Sequence, residues 1–218
     1  MKLKDGQTIV FFGDSITRGN VGSNYITALK RLLSEYSTSN NFHFINAGRD
    51  GDMVEDLLQR VENDVLSLGP DWVVVLAGIN DVFYESILME DMPMDNPMRE
   101  PSIHRRMVEH FTDNYSSLID ILKDQVQNLA ICTTTAVEGS MNLGITESLT
   151  PINDAIRSIS YEKNCELIDL DFAIKENLAE MKKEGCYAEF SLTVDGVHLN
   201  ERGARLVAKM MFEFFTRD

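Results

Sequence analysis

Three side chains in this sequence have the types and the spacing for acyl transfer: Ser15, and the pair Asp195 and His198 in a glycine-containing loop. A serine hydroxyl is a poor nucleophile until a base takes its proton, and the best base is an imidazole held in one tautomer by a carboxylate. A separation of three residues lets a single turn bring the Asp195 carboxylate to one ring nitrogen of His198 and leave the other free. His43, His104 and His110 lie within strand or helix patterns, so His198 is the candidate base among the four histidines. The oxygen that becomes negative in the tetrahedral intermediate also needs donors, and a backbone N–H at a glycine turn with a side-chain amide would supply them. Gly51 and Asn80 are of those types. Asp14, next to the nucleophile, is assigned to substrate binding. Plainer readings stand beside these: Ser15 as a turn or cap hydroxyl, Asp195 and His198 as a capped turn with a surface imidazole, Gly51 as a positive-φ turn, and Asn80 as an Asx turn.

The elements that must position these groups alternate along the chain. The run Ile9 to Phe12 reads as a buried strand that stops at Gly13 and hands over to a tight turn presenting Ser15. Tyr25, Ala28, Leu29, Leu32, Leu33 and Tyr36 mark one face of a helix starting near Asn24. Phe42 to Asn46 reads as a second strand, closing on the loop that contains Gly51. Met53, Leu57, Leu58 and Val61 predict a helix, and Trp72 to Leu76 a third strand that leads into Gly78-Ile79-Asn80-Asp81. Residues 85–101, with three prolines and four methionines and no periodicity, read as a surface loop near the site. A helix over Ile103 to Gln127, a strand over Leu129 to Thr133 and a polar loop over Glu138 to Gly144 follow. Ile152, Ile156 and Ile159 mark a further helix, Glu166 to Leu170 a short fifth strand, and Ala173 to Lys183 a helix. The loop Phe190 to Asn200 holds Asp195 and His198, and Glu201 to Phe215 is the last helix. Strands alternating with helices predict one α/β domain over residues 1–218, its parallel sheet covered on both faces. Ligands bind at the carboxyl ends of such strands, where all the candidate loops fall.

Composition narrows the partners. With 35 acidic and 20 basic residues the net charge is −15, which disfavours nucleic acid and anionic membrane and leaves small-molecule substrates. The first apolar run is too short for a signal-peptide core or a spanning helix, so the chain reads as cytoplasmic. Cys132, Cys165 and Cys186 have no spacing for metal or for a disulfide framework and read as reduced, mainly core thiols. The possibility of a homo-oligomer stays open.

Taken together, the blocks Gly13-Asp14-Ser15 with Gly19, Asn46-x-Gly48-x-x-Gly51, Gly78-x-Asn80-Asp81 and Asp195-x-x-His198 resemble, in order, those of the SGNH hydrolases, the GDSL esterase and lipase family. The resemblance covers nearly the whole chain. It implies a flavodoxin-like three-layer α/β/α sandwich with a five-stranded parallel sheet and no metal or organic cofactor. It also implies Ser15 as nucleophile, His198 as general base and then acid, Asp195 as the residue that orients the imidazole, and an oxyanion hole made of the Ser15 and Gly51 amides and the Asn80 side chain. The stretches Asp5-Gly6-Gln7-Thr8 and Gly78-Ile79-Asn80-Asp81-Val82 are most similar to the bacterial carbohydrate acetylesterases of the family, xylan acetylesterases included. Two positions depart from the family pattern: Thr134-Thr135 where Thr-Pro is frequent, and Leu199 where a proline often follows the histidine. The expected activity is removal of a short acyl group, acetyl above all, from a small polar or carbohydrate ester. Alternatives are a lysophospholipase or thioesterase of the same fold, and a non-catalytic sugar-binding protein.

Overall fold

A computed structural model of the chain describes residues 1–37, 41–83, 101–135, 137–139 and 143–217, with backbone alone for 101–104 and 143–147. The first strand is β1 (Thr8–Gly13), whose Ile9, Val10, Phe11 and Phe12 are completely buried. A strand covered on both faces needs apolar side chains at successive positions, and each one removed from water contributes about 1.5–3 kcal/mol. On one side β1 pairs with β2 (His43–Gly48), on the other with β3 (Trp72–Leu76), and the sheet continues through β4 (Asn128–Cys132) to β5 (Glu166–Ile168). All four pairings are parallel, in the order β2-β1-β3-β4-β5.

The helices are α1 (Ser15–Arg18), α2 (Tyr25–Tyr36), α3 (Val54–Asp64), α4 (Pro101–Gln125), α5 (Leu143–Glu162), α6 (Leu170–Lys183) and α7 (Glu201–Thr216). One layer is formed by α2 and α6 packing on α7, the other by α3 and α5 packing on α4. This is the expected α/β/α sandwich. Trp72 meets the rings of Phe214 and Phe215 edge-on, which fastens the last helix to the start of β3. Among the described residues no helix is long and apolar enough to cross a membrane.

Register decides where the loops emerge. Gly13 lies opposite Gly48 on β2 and Leu76 on β3, so three neighbouring strands finish level at one edge. The segments that leave that edge contain Ser15, Gly51 and Asn80.

Several boundaries differ from the sequence reading for local reasons. The fifth strand stops at Ile168 rather than Leu170, because the Asp169 carboxylate caps α6 by accepting from the Phe172 N–H. The long helix starts at Pro101, where a missing N–H costs nothing in a first turn. The expected loop over 85–101 lies outside the described residues except for Pro101. Of the cysteines expected mainly in the core, Cys132 is buried, Cys165 half-buried and Cys186 exposed just beyond the Gly185 turn.

Candidate active site

The turn that presents Ser15 is built by Asp14. Its backbone is extended and its Oδ1 accepts from the Ile16 N–H at 2.9 Å, so it caps the single turn of α1 and leaves Ser15 as the first helical residue. The turn presses against the end of β2: a Cβ on Gly48 would stand 2.3 Å from the Arg18 nitrogen and 2.7 Å from the Asp14 carbonyl oxygen. Asn46 completes the seat, its amide nitrogen donating to the Thr17 and Arg18 carbonyls and its Oδ1 accepting from the Gly48 N–H. Asp14 itself is 1% exposed. This carboxyl group, assigned to substrate binding from the sequence, caps the turn that presents Ser15.

His198 Nε2 lies 3.1 Å from Ser15 Oγ, and His198 Nδ1 lies 2.7 Å from Asp195 Oδ2. The other carboxylate oxygen, Oδ1, accepts from the Val197 and His198 backbone N–H groups at 3.0 and 2.8 Å. These contacts fit the Nδ1–H tautomer, which leaves Nε2 as an acceptor facing the Ser15 hydroxyl. Burial pushes the Asp195 carboxyl up, but the hydrogen bonds from the His198 ring and from the two backbone N–H groups outweigh it and hold the group below the ordinary carboxylate range.

Gly51 has φ +81°, while a Cβ built on it would meet nothing within 4 Å. The glycine is required by backbone conformation and not by space. Asn80, in the helical stretch 79–83, donates its side-chain amide to the Asp52 carbonyl at 2.9 Å, which ties the third candidate loop to the second. Next to Ser15 and Asn80 in the chain stand two carboxyl groups with raised pKa, Asp14 and Asp81. Burial lifts Asp14 to about 7, helped by the negative charges of Asp81 and Asp52. It lifts Asp81 to about 6 against the opposing bond from the Val54 N–H. Among the described residues no cluster of three or more acidic, histidine or cysteine side chains is arranged to hold a metal ion.

Residues 11–206 match the family model of the GDSL-like lipases and acylhydrolases. The chain belongs to the GDSL-like lipase/acylhydrolase family. Membership makes it a carboxylic ester hydrolase. A similar curated protein is an acetylxylan esterase of Geobacillus stearothermophilus, 26% identical over 221 residues that span 96% of this chain and 94% of the relative. Solved structures with the same fold include an acetylxylan esterase of that organism, with TM-score 0.81 and 23% identity over 100% of this chain and 98% of the other. Another is an α/β hydrolase from the metagenome of Lake Arreo, Spain, with TM-score 0.79 and 22% identity over the full length of both chains. Catalytic mutants of the Geobacillus enzyme, changed at a serine, an aspartate or a histidine, are among the matching structures.

Two residues of this GDSL-like chain escaped the sequence reading. Glu138, read as the first residue of a polar loop, is 3% exposed. Its Oε1 accepts from the Ser191 N–H, and its Oε2 from the Leu192 N–H and the Thr193 hydroxyl, at 2.8–2.9 Å. Its own N–H donates to the Gly196 carbonyl, so one residue holds the loop that carries Asp195 and His198 at two places, residues 191–193 and Gly196. Arg60, within a helix read for its apolar positions, is buried at the ends of β1 and β2. Neither could be assigned from spacing, since a charged residue on a helix or in a polar loop is ordinarily exposed. At the departures from the family pattern, the Thr134 N–H and hydroxyl both donate to Asn153 Oδ1, and Leu199 is a core side chain whose carbonyl accepts from the Ser23 N–H.

Proposed function

We propose that the chain is an acetylesterase acting on a small polar or carbohydrate ester through Ser15, His198 and Asp195. The observation that carries this reading is the unbroken line of contacts from Ser15 Oγ through the imidazole to Asp195, at 3.1 and 2.7 Å. Ser15 Oγ attacks the ester carbonyl as His198 Nε2 takes its proton, and the imidazolium is stabilised by the carboxylate on Nδ1. The tetrahedral oxyanion accepts hydrogen bonds from the Ser15 and Gly51 N–H groups and the Asn80 amide. Collapse breaks the bond to the leaving oxygen, which receives the proton from Nε2 and departs as the alcohol, leaving acyl-Ser15. Water then attacks the acyl carbon, again giving its proton to His198, and collapse returns the carboxylic acid and the free serine.

The acetyl and carbohydrate assignments are supported by the Geobacillus relative, named for acetylxylan. That enzyme's catalytic mutants involve the same three residue types. The net charge of −15 argues against the lysophospholipase reading by opposing docking on anionic lipid. Unpaired thiols at all three cysteines favour a reducing, cytoplasmic setting. The deciding experiment measures kcat/KM over p-nitrophenyl esters from acetate to octanoate and over acetylated xylo-oligosaccharides. Acetate esters should be hydrolysed fastest; a maximum at the long chains would replace this reading with a lysophospholipase or thioesterase.

A further inference from the structure

A buried guanidinium is costly unless its donors are met, so each partner of Arg60 reports what the side chain holds together. The side chain is 8% exposed. Nε donates to Asp52 Oδ2 at 2.6 Å, one terminal nitrogen to Asp64 Oδ2 at 2.8 Å and to the Ala47 carbonyl at 2.9 Å, and the other to the Gly13 carbonyl at 2.9 Å. The guanidinium carbon lies 4.5 Å from the centre of the Phe12 ring. These contacts reach the roots of all three oxyanion donors. Gly13 precedes the Asp14-Ser15 turn, Asp52 follows Gly51, and the Asp52 carbonyl accepts from the Asn80 amide. That last bond uses one hydrogen of the Asn80 NH₂ group and leaves the second for the oxyanion.

We infer that Arg60 is a positioning residue: it sets the three donors of the oxyanion hole relative to one another without touching substrate. The inference rests on the ester-hydrolase reading of Ser15. The guanidinium suits the task because it presents five N–H donors in a rigid plane, enough to serve two carboxylates and two strand-end carbonyls together. A lysine ammonium, with three donors at one point, could keep the charge pairing but not span both strand ends.

The test compares wild type, Arg60→Lys, Asn80→Ala, the double variant and Asp52→Asn on p-nitrophenyl acetate, with far-UV circular dichroism and thermal unfolding to establish the folded fraction. Phenylboronic acid, which forms a tetrahedral adduct with an active serine, reports transition-state complementarity, and acetate reports ground-state binding. Arg60→Lys should lower kcat by about 10- to 100-fold, less than the ~10²–10³ typical of deleting a donor outright. KM and acetate inhibition should stay within about twofold, while phenylboronic acid binding weakens in step with kcat. In the Asn80→Ala background the same change should cost no more than a few-fold, because both act on one stabilisation. Unchanged kcat in folded Arg60→Lys overturns the inference, as does a loss that multiplies fully with Asn80→Ala. Should Arg60→Lys not fold, Asp52→Asn decides, since it weakens the same clasp but keeps the Asp52 carbonyl: a kcat-selective loss supports the inference and wild-type kcat overturns it. Ser15→Ala separates the two levels, because full activity in that variant removes the ester-hydrolase reading itself.

Discussion

Replacing Asp14 by asparagine should stabilise the protein at neutral and alkaline pH and leave it unchanged in acid. The carboxyl is buried at 1% exposure, and burial, reinforced by the charges of Asp81 and Asp52, raises its pKa from 3.8 to about 7 in spite of the Ile16 N–H. A group whose pKa is higher in the folded state binds a proton there that the unfolded chain has already released. Its contribution is therefore fully present below about pH 4 and is lost as the pH rises towards about 7. At 1.36 kcal/mol per unit, the ceiling is about 4 kcal/mol, and relaxation around the buried group would reduce it. Asparagine keeps the oxygen that accepts from Ile16 and has nearly the same volume, so the cap survives while the buried charge disappears. The assay is urea unfolding of both proteins at intervals from pH 4 to pH 8. The curves should coincide near pH 4 and diverge until the variant is roughly 2–4 kcal/mol more stable above pH 7. Taking the difference between the proteins cancels Asp195 and Asp169, whose lowered pKa values work in the opposite sense in acid. A difference that stays constant across this range would refute the reasoning.

Ser15→Ala should abolish ester hydrolysis without lowering the unfolding temperature, and Ser15→Ala/His198→Ala should be no slower than either single variant, because the two act as one unit; losses that multiply would contradict this. Glu138→Gln turns an NH₂ group toward one of three donors, so it should cost about 1–3 kcal/mol in urea unfolding and lower kcat as the histidine loop loosens. Wild-type stability and turnover in that variant would remove Glu138 from the account.

The sequence made the strands and the two halves of the site legible because each leaves a local signature. A strand buried on both faces must be apolar at successive positions, as from Ile9 to Phe12 and Trp72 to Leu76, and the candidate site residues sit where such runs break. What stayed hidden depends on contacts between distant segments. Glu138 read as part of a polar loop because isolated carboxylates are mostly exposed, and its burial follows from donors supplied by residues 191–193. Arg60 was hidden for the same reason: its partners come from β1, β2, the Asp52 loop and its own helix, and only one of these, Asp64, is a near neighbour on α3.

Ser15 and His198 are 183 residues apart, yet the proposed proton transfer tolerates little error in the gap between Oγ and Nε2. Sheet pairing fixes the serine half, since Gly13 is held in register by both neighbouring strands. No strand carries the histidine half, so it needs another support. Asn200 caps α7 through the Arg202 and Gly203 N–H groups and, with its amide, donates back to the Ser191 and Thr193 carbonyls. Glu138 holds residues 191–193 from beyond β4, and the Ser23 N–H reaches the Leu199 carbonyl from the loop that follows α1. The histidine loop is thus pinned to a helix cap, to the segment beyond β4 and to the loop on the serine side. These three supports add to the loop's own backbone bonds, from the Val194 N–H to the His198 carbonyl and from the Asn200 N–H to the Leu192 carbonyl. Loosening one should therefore lower kcat before it unfolds the domain, which is the order of effects expected when a site's geometry is fixed by polar contacts and its fold by the buried sheet.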